Sequence, residues 1–331
     1  MFLEREKIRA PEIEGDRWLN SPPLSIKALR GKVVLIDFWD YTCVNCIRTL
    51  PYLKAWQERY SGKGLVLIGV HSPEFPFARE ASHVERAVAS FGLTYPIAMD
   101  NDYKTWRSYA NRYWPAKYLI DRNGIIRYRH NGEGNYVETE LAIQALLLEI
   151  DPALPLPDPM RPIRESDYPG TVCYLPTPEL YLGADRGRIG NNEGLPEGKV
   201  VQYHLPDRLM EDTFYAEGSW EVFSDRLTFT GQRGGAVHLI YSAMEVNLVA
   251  SAEEEAIVWI NQDRRTMRKD EIGEDVAIDE KGRAFVRVKA PRMYQLVRNP
   301  GFEKHELRLF TQARGLSLYA FTFVSCTVSP Q

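Results

Sequence analysis

Six prolines between Asp151 and Gly170 (Pro152, Pro155, Pro157, Pro159, Pro162 and Pro169) exclude a helix there, because proline lacks the backbone donor and clashes with the preceding turn. The density favours an extended connector. It divides a chain of 331 residues, which is too long for one ordinary core and suits domains of about 100–200 residues each. The expected organisation is a first domain over 1–150, a proline-rich linker over 151–170 and a second domain over 171–331. The apolar pattern changes class across the connector: strand-like and helix-like segments alternate before it, and short alternating strands separated by turns follow it. A formal net charge of -4 gives no electrostatic reason to expect nucleic acid. No apolar run approaches the roughly 18 residues that would span a bilayer. The N-terminal Glu4, Arg5, Glu6 and Lys7 lack the apolar core of a secretory leader, so the expectation is a soluble chain that carries no address.

In the first region, Val33 to Phe38 is a continuous apolar run of the kind found in a strand buried on both faces. Ile47, Leu50, Leu53 and Trp56 then form one side of an amphipathic helix that contains Pro51. Gly64 to Val70 reads as a second buried strand, and Val84, Val88 and Phe91 mark a helix after the loop Ser72 to Phe77, completing a βαβ unit. Lys117 to Asp121 and Ile125 to Arg129 flank Asn123-Gly124, a hairpin signal because both turn residues tolerate positive φ. Val137, Leu141, Ala145 and Leu148 supply a final helical stripe.

Cys43 and Cys46 stand where the central strand passes into the helix. Dithiol exchange needs an attacking thiolate, a second thiol to release the mixed disulfide, and access for a partner. A cysteine just before a helix faces unpaired amides and the positive end of the helix dipole, so Cys43 is the expected exposed nucleophile. Cys46, one turn on, is the expected buried resolving thiol. The same spacing also supplies half of many zinc sites. Here the other half is missing: Cys173 and Cys326 lie far away, and His71, His83, His130, His204, His238 and His305 have no ligand-like spacing. No metal and no cofactor are expected. Asp37, near the strand end, is a candidate acceptor for the Cys46 proton, unless it is an acid facing solvent. Pro115 precedes the hairpin and is a candidate cis proline, which would present its neighbouring backbone to a substrate segment. Trp39, Tyr41, Trp114 and Glu74 are the candidate substrate contacts.

Taken in order, Asp37, Trp39, Cys43, Cys46, Pro51 and Pro115 resemble the motif positions of the thioredoxin superfamily. The segments Asp37 to Leu53, Gly69 to Phe75 and Asn111 to Ile120 are similar to the soluble half of DipZ-like proteins, among the TlpA-like thiol–disulfide oxidoreductases. Pro178 to Gly183, Val246 to Val249, Arg292 to Arg298 and Tyr319 to Phe323 carry the similarity into the second domain. The fold class this implies is an α/β thioredoxin-like domain followed by an all-β jelly-roll sandwich resembling a carbohydrate-binding module. The function it implies is reduction of protein disulfides outside the cytoplasm, in the periplasm or cell envelope, with electrons from a CcdA-type membrane donor. Two positions depart from the family pattern. Asp40 stands where Thr is common, and its charge opposes thiolate formation, so the fall in the Cys43 pKa should be modest. Thr49 replaces a carboxylate found three residues after the second cysteine, a role open to Asp37 or Glu74.

In the second region, Trp220 to Phe229, Ala236 to Tyr241, Val246 to Ala250, Ala256 to Ile260, Arg283 to Lys289, Glu306 to Leu309 and Leu316 to Phe323 read as strands of a two-sheet sandwich. Trp220, Trp259, Tyr294 and Tyr319 could stack on a carbohydrate, although core packing explains them as well. Cys173 and Cys326 lie near opposite ends of this domain, as a disulfide or as two separate buried thiols. A thiol peroxidase, or a carbohydrate-binding or adaptor protein with a vestigial redox centre, are the alternatives to an exchange enzyme. The peroxidase frame Pro-x-x-x-Thr-x-x-Cys is not filled before Cys43.

Overall fold

The computed structural model describes residues 8–168 and 171–327. The charged stretch Glu4 to Lys7, along with Pro169 and Gly170, lies outside the described residues. The chain forms two compact units, Met1–Asp167 and Tyr168–Gln331.

The first unit is a sheet of β1 (Arg17–Leu19), β2 (Val33–Trp39), β3 (Leu65–His71), β4 (Ile97–Met99), β5 (Ala116–Ile120) and β6 (Ile126–Asn131), with four α-helices: α1 (Val44–Tyr60), α2 (Ala81–Phe91), α3 (Lys104–Ser108) and α4 (Tyr136–Leu148). Its strand order is β1-β4-β3-β2-β5-β6. β2, β3 and β4 run parallel, β5 runs antiparallel to β2, and β6 runs antiparallel to β5. This is a thioredoxin-like α/β fold with β2 at its centre. All of β2 is buried because both its faces are covered. Val33, Leu35 and Trp39 join the core made with α1, α2 and α4, while Val34, Ile36 and Phe38 join the core on the other face with Tyr109 and Tyr118. The alternation of side chains along a strand puts Asp37 on the α1 side. The Asn123-Gly124 turn is held by Asp121, whose carboxylate accepts from the backbone N–H groups of Asn123 and Ile125 (2.9 and 3.0 Å). Gly124 supplies the positive φ of +71°.

The α4 stripe runs opposite to the one the spacing suggests. Val137, Leu141 and Leu148 are exposed, and Tyr136, Thr139, Glu140, Ala142, Ile143, Leu146 and Leu147 face the core. The helix is apolar on both sides, so periodicity alone does not select the buried one. The proline-rich segment holds a short 3-10 helix at Glu165–Asp167, and its first part is bound to the first unit. Leu154, Leu156 and Met160 pack on the α1/α4 core. The Gln144 side chain donates to the Pro157 carbonyl, the Met160 N–H donates to Glu140 and the Ile163 N–H donates to the Tyr52 hydroxyl, each at 2.8 Å.

The second unit is strand-rich: β7 (Val172–Cys173), β8 (Leu180–Tyr181), β9 (Val200–Tyr203), β10 (Thr213–Val222), β11 (Leu227–Phe229), β12 (Gly235–Ala252), β13 (Ala256–Gln262), β14 (Arg265–Thr266), β15 (Val276–Ile278), β16 (Ala284–Val288), β17 (Arg292–Thr311), β18 (Leu316–Val324) and β19 (Cys326–Thr327). In place of two separate sheets, β8 to β18 pair into one connected network of 11 strands. Its backbone is the ladder of two long strands, β12 with 18 residues and β17 with 20. Along one edge β12 pairs first with β10 and then, past a bulge between Ala243 and Glu245, with β18. A bulge bends a strand and lets it serve two layers. The segments read as separate strands at Ala236 to Tyr241 and Val246 to Ala250 are one strand, and Trp220 to Phe229 is a hairpin of β10 and β11. β7 and β19 pair so that Cys326 lies opposite Cys173 in the register, and Cys173 is disulfide-bonded.

Candidate active site

The β2–α1 junction assembles the two cysteines by local structure alone. Cys43 is the extended N-cap of α1 (φ -84°, ψ 114°), and its sulfur accepts the Cys46 N–H at 3.2 Å. That bond satisfies one of the donors a helix leaves unpaired at its start. Both thiols are free: Cys43 is half-buried and Cys46 is buried behind it. Cys43 thus keeps part of its surface, while its partner one helical turn away has almost none.

Asp37 is buried (1% exposed), so it is not a solvent-facing acid at a strand end. Across the ladder its register partner on β5 is Lys117, which has no exposed surface either. Burial pushes the Asp37 carboxyl up to about 7, and the Lys117 charge works against that rise. Lys117 is pushed down by burial and held up chiefly by Asp37; its ammonium donates weakly to the Gly132 carbonyl (3.4 Å) and lies 5.8 Å from the Tyr136 ring centre. On β3, Gly69 is opposite Asp37, and a Cβ there would lie 3.0 Å from Trp39 Nε1 and 3.2 Å from the Tyr95 ring. Glycine lets those rings close over the acid. Among the described residues Asp37 Oδ1 and the Tyr95 hydroxyl have no hydrogen-bond partner, an arrangement costly in a core and common where a group must exchange a proton.

The Trp114–Pro115 peptide is cis. Because Ala116 pairs with Phe38 and Lys117 with Asp37, Pro115 sits beside the end of β2 from which the cysteine loop departs. Trp114 is half-buried, with its indole N–H donating to the Ser72 carbonyl (3.0 Å). Glu74 is half-buried in the loop after β3, and its N–H donates to Asp40 Oδ2 at 2.8 Å. The other two candidate substrate contacts are corrected by their burial. Trp39 is 0% and Tyr41 3% exposed, one edge-on to His71 and the other stacked on it, with ring centres 5.4 and 5.7 Å apart. They support the loop from beneath.

The acidity of Cys43 also departs from expectation. Its thiol lies above its ordinary range. Burial is the main cause; the Cys46 contact opposes it, and the charges of Glu74 and Asp40 add to it. The helix start is outweighed because the sulfur is partly desolvated and faces carboxylates. Cys46 is pushed well above the usual thiol range by burial and by Cys43, so it needs a base to act.

The model of the Redoxin family matches residues 8–144, and that of the "Thioredoxin like C-terminal domain" matches residues 177–323. Protein DipZ of Mycobacterium bovis is 40% identical over 247 residues, covering 72% of this chain and 34% of DipZ. The chain carries a Redoxin-family region and a thioredoxin-like C-terminal domain and is a homologue of DipZ. It spans about a third of the length of the DipZ proteins it matches. The thiol-disulfide oxidoreductase YkuV of Bacillus subtilis is 26% identical over 142 residues, covering 43% of this chain and 95% of YkuV. A solved structure of a thiol-disulfide isomerase from Corynebacterium glutamicum is 26% identical, covering 42% of this chain and 96% of that one with a TM-score of 0.39.

In this DipZ-like chain the aromatic residues considered for sugar stacking are mainly core: Trp220, Tyr294 and Tyr319 are at most 5% exposed. Trp259 is half-buried, with the Arg283 guanidinium 4.1 Å from its ring centre. Lys117, Tyr95 and His71 were not singled out by the residue pattern. For Lys117 a signal exists, since a lone cation inside the apolar run Ala116 to Ile120 contradicts a strand buried on both faces.

Proposed function

We propose that this chain reduces protein disulfides through the Cys43/Cys46 dithiol, with Asp37 as the proton acceptor for Cys46. The observation that carries the reading is the pairing of a half-buried N-cap thiol with a buried second thiol one turn away, backed by an acid titrating near 7. Cys43 loses its proton and attacks one sulfur of the target disulfide, forming the mixed disulfide and releasing the first target thiolate, which takes up a proton. Asp37 accepts the Cys46 proton. The Cys46 thiolate then attacks Cys43, closing the Cys43–Cys46 bond and expelling the second target thiolate, to which a proton passes. Two electrons and two protons reach the target, and the backbone beside Pro115 is the surface against which the target segment lies. We assign the chain to the extracytoplasmic side of a membrane, in the periplasm or cell envelope, with a CcdA-type membrane donor restoring the dithiol; the relation to DipZ supports this.

The test is capture. With Cys46→Ser no resolving thiol remains, so a target disulfide should leave a long-lived mixed disulfide on Cys43, released by dithiothreitol and located by peptide mass. Absence of any adduct with a folded variant would overturn the reading.

A further inference from the structure

The short turn between β6 and α4 is tied to three other parts of the first unit. Its Gly132 N–H donates to the Pro115 carbonyl at 2.7 Å, and the Gly132 carbonyl accepts from the Lys117 ammonium at 3.4 Å. One residue of the turn therefore holds both the cis proline and the cation opposite Asp37. Glu133 follows, between two glycines of positive φ (Gly132 at +82° and Gly134 at +86°). Its Oε2 forms an ion pair with Arg48 Nε at 3.1 Å, too oblique for a hydrogen bond, and accepts a hydrogen bond from Arg164 Nη2 at 3.4 Å. Arg48 comes two residues after Cys46 on α1. Arg164 belongs to the proline-rich segment, where Asp167 grips it through both carboxylate oxygens (2.8 and 2.6 Å) and also accepts the hydroxyl of Tyr52 on α1 (2.6 Å). An isolated exposed ion pair contributes little. Here all three partners are half-buried, at 13% (Arg48), 28% (Glu133) and 22% (Arg164) exposed, and belong to one network.

We propose that Glu133 is a positioning residue for the exchange reaction: it fixes the backbone beside Pro115 against the cysteine-bearing end of α1, so that a target segment lying on that backbone brings its disulfide to Cys43. The chain of contacts is short. Glu133 holds Arg48 on the helix, and the residue before it holds the Pro115 carbonyl. Arg164 makes the proline-rich segment the third arm of the clamp, and Tyr52 anchors that arm back onto α1. Misplacing two reacting groups by about 1 Å costs up to about 10²-fold in rate, so a carboxylate remote from the sulfurs can govern a reaction it does not touch.

The inference rests on the reading that a protein disulfide docks beside Pro115, and two readouts separate the clamp from that reading. The first is hydrogen exchange at the Gly132 amide, which reports its bond to the Pro115 carbonyl. In Glu133→Gln it should quicken about tenfold, with the amides of β2 unchanged. The second is the rate at which Cys43 forms a mixed disulfide, followed in the Cys46→Ser background with insulin and with dithiodipyridine, a small disulfide that has no backbone to dock. Attack on insulin should slow about tenfold, and attack on dithiodipyridine by less than about twofold. Arg164→Gln leaves Arg48 paired with Glu133; it should move both readouts the same way by about threefold, and it carries the test if Glu133→Gln does not fold. Unchanged Gly132 exchange, undiminished attack on insulin, or equal slowing with both disulfides overturns the proposal. If Cys43 with Glu133 intact attacks dithiodipyridine but never insulin, the exchange reading fails instead, and Gly132 exchange decides on the clamp alone.

Discussion

Replacing Cys43 by serine is expected to abolish disulfide reduction. The hydroxyl cannot form a mixed disulfide, and Cys46 is buried beneath it, out of reach of a protein substrate. Loss of a nucleophile on which every later step depends lowers turnover by roughly a thousandfold or more, to the background of the reductant alone. The same variant should keep its fold, because serine can still cap α1 by accepting the Cys46 N–H. The paired measurement is turnover of a disulfide-bonded protein and a denaturant unfolding curve. Retained turnover with an intact fold would remove Cys43 from the reaction.

The second large effect concerns Asp37 and has two signs. A carboxyl whose pKa rises from 3.8 in the unfolded chain to about 7 in the folded one binds its proton more tightly when folded. That contribution to stability is fully present below the unfolded value and is lost as pH rises toward 7; above it the ionised, buried acid is a standing cost. At about 1.4 kcal/mol per unit, the change is on the order of 4 kcal/mol. Asp37→Asn should therefore be more stable than wild type by an amount that grows between pH 4 and pH 7 and then levels off. Resolution of the mixed disulfide should move the other way. In wild type its rate rises with pH through about 7 as Asp37 becomes able to accept the Cys46 proton, and in the variant that inflection should vanish and the rate fall about 10²-fold or more. A stability difference that does not change with pH, or a surviving inflection, would take Asp37 out of the proton path.

Much of this site is legible in the residues because it is built by adjacent ones. Val33 to Phe38 reads as a buried strand, α1 starts directly after Cys43, and Asn123-Gly124 reads as a turn. What escapes is set by packing between distant segments. Lys117 matters because an antiparallel register puts it across from Asp37, and register is invisible in a run of apolar residues. Asp40 reads as a charge near the nucleophile, whereas one of its three acceptor bonds reaches a loop more than thirty residues away. Trp39 and Tyr41 look like a substrate surface beside the cysteines, yet His71 draws both rings inward. In the second unit, alternation marks where chain is extended but not which strands pair, and the bulge in β12 breaks its pattern into two apparent strands. The α4 stripe fails for a related reason, since a helix with apolar residues on both sides does not announce its buried face.

The direction of exchange is tested most directly by equilibrating the protein in redox buffers of graded potential and counting free Cys43 and Cys46 thiols by alkylation and mass. Val44 and Asn45 place no cation between the sulfurs, and Cys43 is held as a thiol rather than a stabilised thiolate. A single two-electron transition near the thioredoxin value of about -270 mV is expected; a transition near the DsbA value of about -120 mV would make the site an oxidant and contradict the assigned direction.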